Sequence, residues 1–247
     1  MYHMDLSSVF FDDGGVLNDN SIRHDQWMEL SAQYFQPRYG GKHQTWREAN
    51  HKAIGILIDE LRTRIRDSQN LEFQKHQELL DELWINHMFE IVGVKKPPRS
   101  EYYRLCREAE EWIVPQVQAG IDGIIPVIRN LKSLGYDLYT ASGETSWTLQ
   151  GYLSSMGILD CFVTLYGPDL IGMMKGGNEF YKGIFSHAKV NPSQSLVIDD
   201  NPKMLRLADQ LGAFTIQSCV PRELEPDWKY YYRTPSELVE LIKRIIS

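Results

Sequence analysis

Hydrophobic and polar positions divide the 247-residue chain into three stretches of different periodicity. The first is short: Val9-Phe10-Phe11 is an apolar run that breaks off at Asp12-Asp13-Gly14-Gly15. That is the pattern of a buried strand emptying into a tight turn. The second stretch, from about Ser21 to Trp112, repeats at helical spacing, with Ile54, Leu57, Ile58 and Leu61 on one face and Leu79, Leu80, Leu83, Trp84 and His87 on another. Polar and charged residues fill the remaining faces. Pro37 with Gly40-Gly41, and later Pro97-Pro98, read as helix breakers. Four or five amphipathic helices in a small bundle are predicted.

From Ile121 onward, helical and strand patterns alternate. Helices are predicted over about 123–134, 145–156, 180–188 and 202–211. Three of them are followed by glycine (Gly135, Gly157, Gly212), the residue favoured just past a helix end. Strands are predicted over 138–141, 162–165, 195–198 and 213–217. An amphipathic helix closes the chain, with Thr234 or Ser236 as its N-cap and Glu237 in its first turn. Such alternation implies right-handed crossovers and a parallel sheet covered on both faces, an α/β fold. The first strand belongs to that sheet, so the helical stretch is an insertion. The predicted division is a core over 1–17 and 119–247 and a helical cap over 18–118, joined by connecting strands near 18–20 and 115–120.

Composition narrows the function classes. With 33 acidic and 26 basic residues the net charge is −7, which argues against nucleic-acid or acidic-membrane partners. Cys106, Cys161 and Cys219 lie far apart and form neither a disulfide framework nor a metal motif, a usage that suits a reducing compartment. The N-terminus lacks signal-peptide character and no apolar stretch approaches the roughly 18 residues of a membrane span, so a cytoplasmic location is expected. Oligomeric state has no signature in the pattern. His24, His43, His51, His76 and His87 are scattered and read as surface or packing residues.

The candidate chemistry lies at the predicted strand ends. A parallel sheet delivers the last residue of every strand to one edge, where open α/β folds place their sites. Here those ends offer Asp12, Ser142 and Asp199-Asp200, and the loop before the 180–188 helix adds Lys175. Crowded carboxylates repel one another without a cation, and oxygen-only donors suit Mg²⁺.

Four segments carry a family resemblance: Val9-Phe10-Phe11-Asp12-Asp13-Gly14-Gly15-Val16-Leu17, Tyr139-Thr140-Ala141-Ser142, Lys175-Gly176-Gly177-Asn178-Glu179-Phe180-Tyr181, and Leu196-Val197-Ile198-Asp199-Asp200-Asn201-Pro202. In this order, around a helical insert, they resemble the haloacid dehalogenase superfamily hydrolases with a cap of the first type. The resemblance implies a Rossmann-like core with strand order 5-4-1-2-3 and a Mg²⁺-dependent phosphatase-type hydrolase acting on a small phosphorylated metabolite. It implies that Asp12 attacks phosphorus to form an aspartyl-phosphate. It also implies that Asp12, the backbone carbonyl of Gly14, Asp200 and Asp199 hold Mg²⁺, while Ser142, Gly143 and Lys175 hold the phosphoryl group.

The chain departs from the family pattern at two places. Both prolines of the usual K-P-x-P segment are absent after Lys175, and Gly14 stands where phosphatases carry their acid–base aspartate. General acid–base catalysis is worth about 10²–10⁴-fold, so the second departure leaves four readings open. The substrate has a leaving group that needs little protonation, such as a sugar 1-phosphate or acyl phosphate. A cap residue or the substrate supplies the acid. The chain is a phosphometabolite-binding protein with weakened turnover. Or it is a dehalogenase attacking carbon, ranked low because Asp199-Asp200 is retained for a reaction that needs no Mg²⁺. In the cap, Trp27, Tyr34, Tyr39, Trp46 and Arg47 are the candidates to face substrate, with Arg47 or His43 meeting a second anionic or hydroxylated group.

Overall fold

A computed structural model describes residues 6–67, 72–220 and 224–246. Strand β1 (Ser8–Phe11) is followed by four long helices, α1 (Asn20–Tyr39), α2 (His43–Asp67), α3 (Phe73–Val92) and α4 (Tyr102–Ile113). The α/β part then runs α5 (Ile124–Ser133), β2 (Asp137–Ala141), α6 (Ser146–Ser155), β3 (Phe162–Tyr166), α7 (Pro168–Ile171), α8 (Asn178–Ala188), β4 (Ser195–Asp199), α9 (Pro202–Asp209), β5 (Phe214–Ser218), β6 (Tyr231–Tyr232) and α10 (Pro235–Ile246). The sheet order is β3-β2-β1-β4-β5-β6, with every pair parallel. This is the expected 5-4-1-2-3 arrangement with a sixth short strand at one edge. Tyr231-Tyr232 gave no strand signal because two residues are too few to show a period.

Period-two alternation decides which face each strand residue covers. Val9, Phe11, Leu138, Leu196 and Ile198 point into a core built with Ile124, Ile128 and Leu131 of α5 and Leu238 and Ile242 of α10. Phe10, Tyr139 and Val197 point the other way, onto Phe180, Tyr181, Ile184 and Phe185 of α8 and Met204 of α9. Phe10 lies at the centre, stacked on Tyr139 at 4.8 Å and edge-on to Phe185 at 5.4 Å.

The inserted helices have their own core. Phe35, Trp46, Trp84 and Phe89 meet in an aromatic cluster, with Phe35 and Trp46 stacked at 5.2 Å and Trp46 edge-on to Phe89 at 5.2 Å. Trp46 and Tyr34, expected as candidates to face substrate, are buried in that cluster. Pro37, expected as a breaker, lies inside α1. Pro37 has no amide to continue the helical ladder, yet the helix runs on to Tyr39, and the stop comes at Gly40, where φ is 77° and an L side chain is disfavoured. The connecting strands run antiparallel, with Asn18 bridged to Gly120 and the Asp19 amide donating to the Ala119 carbonyl at 2.7 Å. Among the described residues no helix is long and apolar enough to cross a membrane.

Truncating Phe10 to alanine removes a fully buried ring from between two aromatic partners. A loss of about 3–5 kcal/mol is expected, read as a lower midpoint in urea unfolding; a loss below about 1 kcal/mol would mean that this face of the sheet is not tightly packed.

Candidate active site

The Asp12 amide donates to the Ile198 carbonyl at 2.9 Å, extending the β1–β4 ladder by one residue, so its carboxylate leaves the sheet at the C-terminal edge. The loop after it is tightly wound. The Asp13 carbonyl accepts from the amides of Leu17 at 2.8 Å and Asn18 at 2.9 Å, and Gly15 adopts φ 74°. A Cβ on Gly15 would stand 2.5 Å from Asp200 Oδ2, so this glycine lets the loop close against the carboxylate. Asp199 ends β4 and Asp200 follows it; Asp199 accepts from the Asn201 amide at 2.8 Å and the Tyr181 hydroxyl at 3.4 Å.

These positions converge. Carboxylate oxygens of Asp12, Asp199 and Asp200 lie within 4.8 Å of one another. Lys175, nearly buried, reaches Asp12 Oδ1 at 2.9 Å and Asp199 Oδ2 at 2.7 Å. Burial alone would lower the Lys175 pKa, but the flanking carboxylates outweigh it and hold the ammonium charged. Burial and the neighbouring Asp12 push Asp200 up to about 6, and burial, partly offset by Lys175, pushes Asp199 up to about 7. Among the described residues Asp200 has no ion-pair partner. Three carboxylates against one lysine, all donors oxygen, form a donor set that fits a hard divalent cation such as Mg²⁺.

Ser142 sits just beyond β2 at the same edge, its amide donating to the Tyr166 carbonyl at 3.1 Å and its Oγ accepting from the Glu144 amide at 3.1 Å. Gly143 is exposed and lines a cavity of about 550 Å³ under the inserted helices. Trp27, Ile54, Leu57, Phe73, Trp84 and Met174 make its apolar wall. Arg23, His24, Asp81, Glu110, Glu144 and Tyr152 are its charged or titratable groups. Arg107 bonds Glu110 at 2.8 Å and Asp81 at 3.4 Å, and the Trp147 indole of α6 donates to Glu110 at 3.0 Å. Burial, partly offset by Arg107, raises Glu110 to about 7.

A family model for haloacid dehalogenase-like hydrolases matches residues 7–212. The chain belongs to that family. No curated protein sequence matches it significantly. Solved structures with the same fold include the putative HAD-hydrolase YfnB from Bacillus subtilis bound to magnesium (TM-score 0.68, 15% identity, 96% of this chain and 98% of that one). A 2-haloacid dehalogenase from Pseudomonas syringae aligns with TM-score 0.65 at 18% identity over 97% of this chain and 99% of that one. A HAD family hydrolase from Deinococcus radiodurans with bound phosphate and sodium aligns with TM-score 0.56 at 15% identity over 98% of each chain. At these identities the likeness establishes the fold alone.

Within this hydrolase the cap candidates separate. Trp27 lines the cavity and donates to the Tyr152 hydroxyl at 2.6 Å. Arg47 and His43 do not line it; both engage Glu29, at 3.2 Å and 3.1 Å, so Arg47 is not retained as a substrate ligand. Pairing between α1 and α2, invisible in a linear pattern, claims the charge. Arg23, Asp81 and Glu110 were not anticipated. Arg23 falls in the first turn of α1, eleven positions after Asp12, and that spacing was the one available signal.

Asp199 and Asp200 titrate higher in the folded chain than in the unfolded one. Their contribution to metal-free stability is therefore full below about pH 4 and lost as pH rises through about 6 to 7. Added Mg²⁺ would supply the missing counter-charge, so a concentration 100 times its pH 8 dissociation constant should raise the thermal midpoint by roughly 5–10 °C at pH 8 and by much less at pH 5. Asp200→Asn should raise the metal-free midpoint at pH 8 and remove the Mg²⁺ response. Equal Mg²⁺ shifts in the native chain and the variant would rule out this site.

Proposed function

We propose that this hydrolase is a Mg²⁺-dependent phosphatase acting on a small monophosphate. The observation that supports this best is the packing of Asp12, Asp199 and Asp200 within 4.8 Å of one another. Asp12, the Gly14 carbonyl, Asp200 and Asp199 would hold the ion, which when bound supplies charge neutralisation for an attack between anions. Asp12, pinned by Lys175 at 2.9 Å and by the Asp13 amide at 2.8 Å, is the nucleophile that forms an aspartyl-phosphate. Lys175, Ser142 and the exposed Gly143 backbone hold the phosphoryl oxygens as charge develops on them. The cytoplasm is the compartment proposed, on the cysteine usage.

Dehalogenation is the second reading, favoured by the apolar cavity wall and by the dehalogenase among the similar folds. It explains the site less well. Attack on carbon needs no divalent cation, and without one Asp200 is held against Asp12 with no counter-charge of its own.

The test is phosphate release from 4-nitrophenyl phosphate. Turnover should require Mg²⁺, stop with chelator, and fall at least about 10³-fold in Asp12→Asn. Halide release from a 2-halocarboxylate without metal, with no phosphate release from any ester, would replace the reading by the dehalogenase one. Undiminished activity in Asp12→Asn would remove Asp12 from the mechanism.

A further inference from the structure

Gly14 leaves the place of the usual acid side chain without a carboxylate, but that place is filled. A Cβ built on Gly14 would stand 2.5 Å from Asn20 Oδ1 and 3.1 Å from Arg23 Nη2. Both groups come from the first turn of α1, the first inserted helix. Arg23 Nη2 donates to Asn20 Oδ1 at 2.7 Å, while Nη1 pairs with the Asp13 carboxylate and lies 3.4 Å from Glu144 Oε1. The guanidinium is held over the Tyr152 ring at 5.6 Å. Asp13 is fully buried and also accepts from the Asn18 amide side chain at 2.6 Å. The guanidinium is thus fixed from several sides, and Arg23 and Gly143 both line the cavity. Its field reaches both Asp12 and Asp200.

A guanidinium does not give up its proton near neutral pH, so it cannot replace an acid by proton transfer. It can stabilise an anion, and charge-assisted hydrogen bonds are the strong ones. Resting on the phosphatase reading above, we propose that Arg23 stands in for the missing acid by pairing with the leaving-group oxygen as it departs anionic. The site is then built for aryl, enol and acyl phosphates rather than simple alkyl esters.

The step balances without a protein acid. An Asp12 carboxylate oxygen forms a bond to phosphorus as the bond from phosphorus to the leaving oxygen breaks, and that electron pair stays on the leaving oxygen beside Arg23. Water then attacks the phosphorus of the aspartyl-phosphate and the Asp12 carboxylate is released. One proton of that water remains on the phosphate and the other passes to solvent, from which the leaving anion takes one. The apolar wall of Trp27, Phe73 and Trp84, with the acidic side chains of Asp81 and Glu110, favours a leaving group that is bulky, apolar and without a second negative charge.

The test is a leaving-group series, 4-nitrophenyl, 3-nitrophenyl and phenyl phosphate with Mg²⁺, measured as kcat/KM for the native chain, Arg23→Lys and Arg23→Gln. Loss in Arg23→Gln should grow with the basicity of the leaving group, from under about 5-fold for 4-nitrophenyl phosphate to about 100-fold for phenyl phosphate, while Arg23→Lys recovers most of it. Because Arg23→Gln strands the buried Asp13 charge, Asp13→Asn/Arg23→Gln is measured beside it and should show the same slope. A loss of equal size across the series, or no loss in the folded double variant, would overturn the role of Arg23 and leave the phosphatase reading standing. A native chain that turns over none of the three esters with Mg²⁺ would overturn both.

Discussion

Repulsion among carboxylates at one sheet edge is the constraint around which this molecule is arranged. Asp12, Asp199 and Asp200 are crowded to within 4.8 Å, and one lysine is in contact with two of them. Such an arrangement does not lower the free energy of the metal-free chain; it is held in place by the rest of the fold. The β1–β4 ladder carries two of the acidic positions, the turn at Gly15 closes against the third, and hydrophobic cores on both faces prevent the edge from splaying. Stored electrostatic stress of this kind is released by a divalent cation, which is why the cluster reads as a site and not as a surface accident.

A second arrangement couples the catalytic loop to the inserted helices. Asp13, buried next to Asp12, pairs with Arg23 of α1. Buried pairs stabilise little in net terms, but removing one partner costs about 3–5 kcal/mol. The pair therefore serves as a fixed link more than as a source of stability. Gly14 makes the link possible, since any side chain there would displace Asn20 and Arg23. Three residues that look unrelated along the chain, Asp13, Gly14 and Arg23, are one structural unit.

The cavity above the edge has a different logic. Its wall is aromatic and aliphatic; of the acids lining it, burial raises Asp81 and Glu110, which pair with Arg107, and Glu144 lies 3.4 Å from Arg23. Trp147 belongs to α6, and Phe73 of α3 packs against it at 6.1 Å, so one core side chain touches two inserted helices at the cavity margin. The same contacts therefore fix both the cavity margin and the position of the inserted helices over the sheet edge.

The parallel sheet, the helical insertion and the polar strand ends were legible in the linear pattern, because buried strands alternate with helices there and strand ends in a parallel sheet must meet. The strand order came from the family resemblance. Asp12, Ser142, Asp199 and Asp200 stand out as strand ends, and Lys175 as a cation in the loop before α8. The cap was opaque. Trp46 and Trp84 have similar helical contexts, yet Trp46 is fully buried among Phe35 and Phe89 whereas Trp84 also lines the cavity, and Arg47 is claimed by Glu29. A helical period says which residues share a face but not which face meets a neighbour, since that depends on how helices distant in sequence pack together. Only the tertiary structure decided that Arg23 would occupy the place that Gly14 leaves open, because the space beside a residue without a side chain has no trace in the sequence.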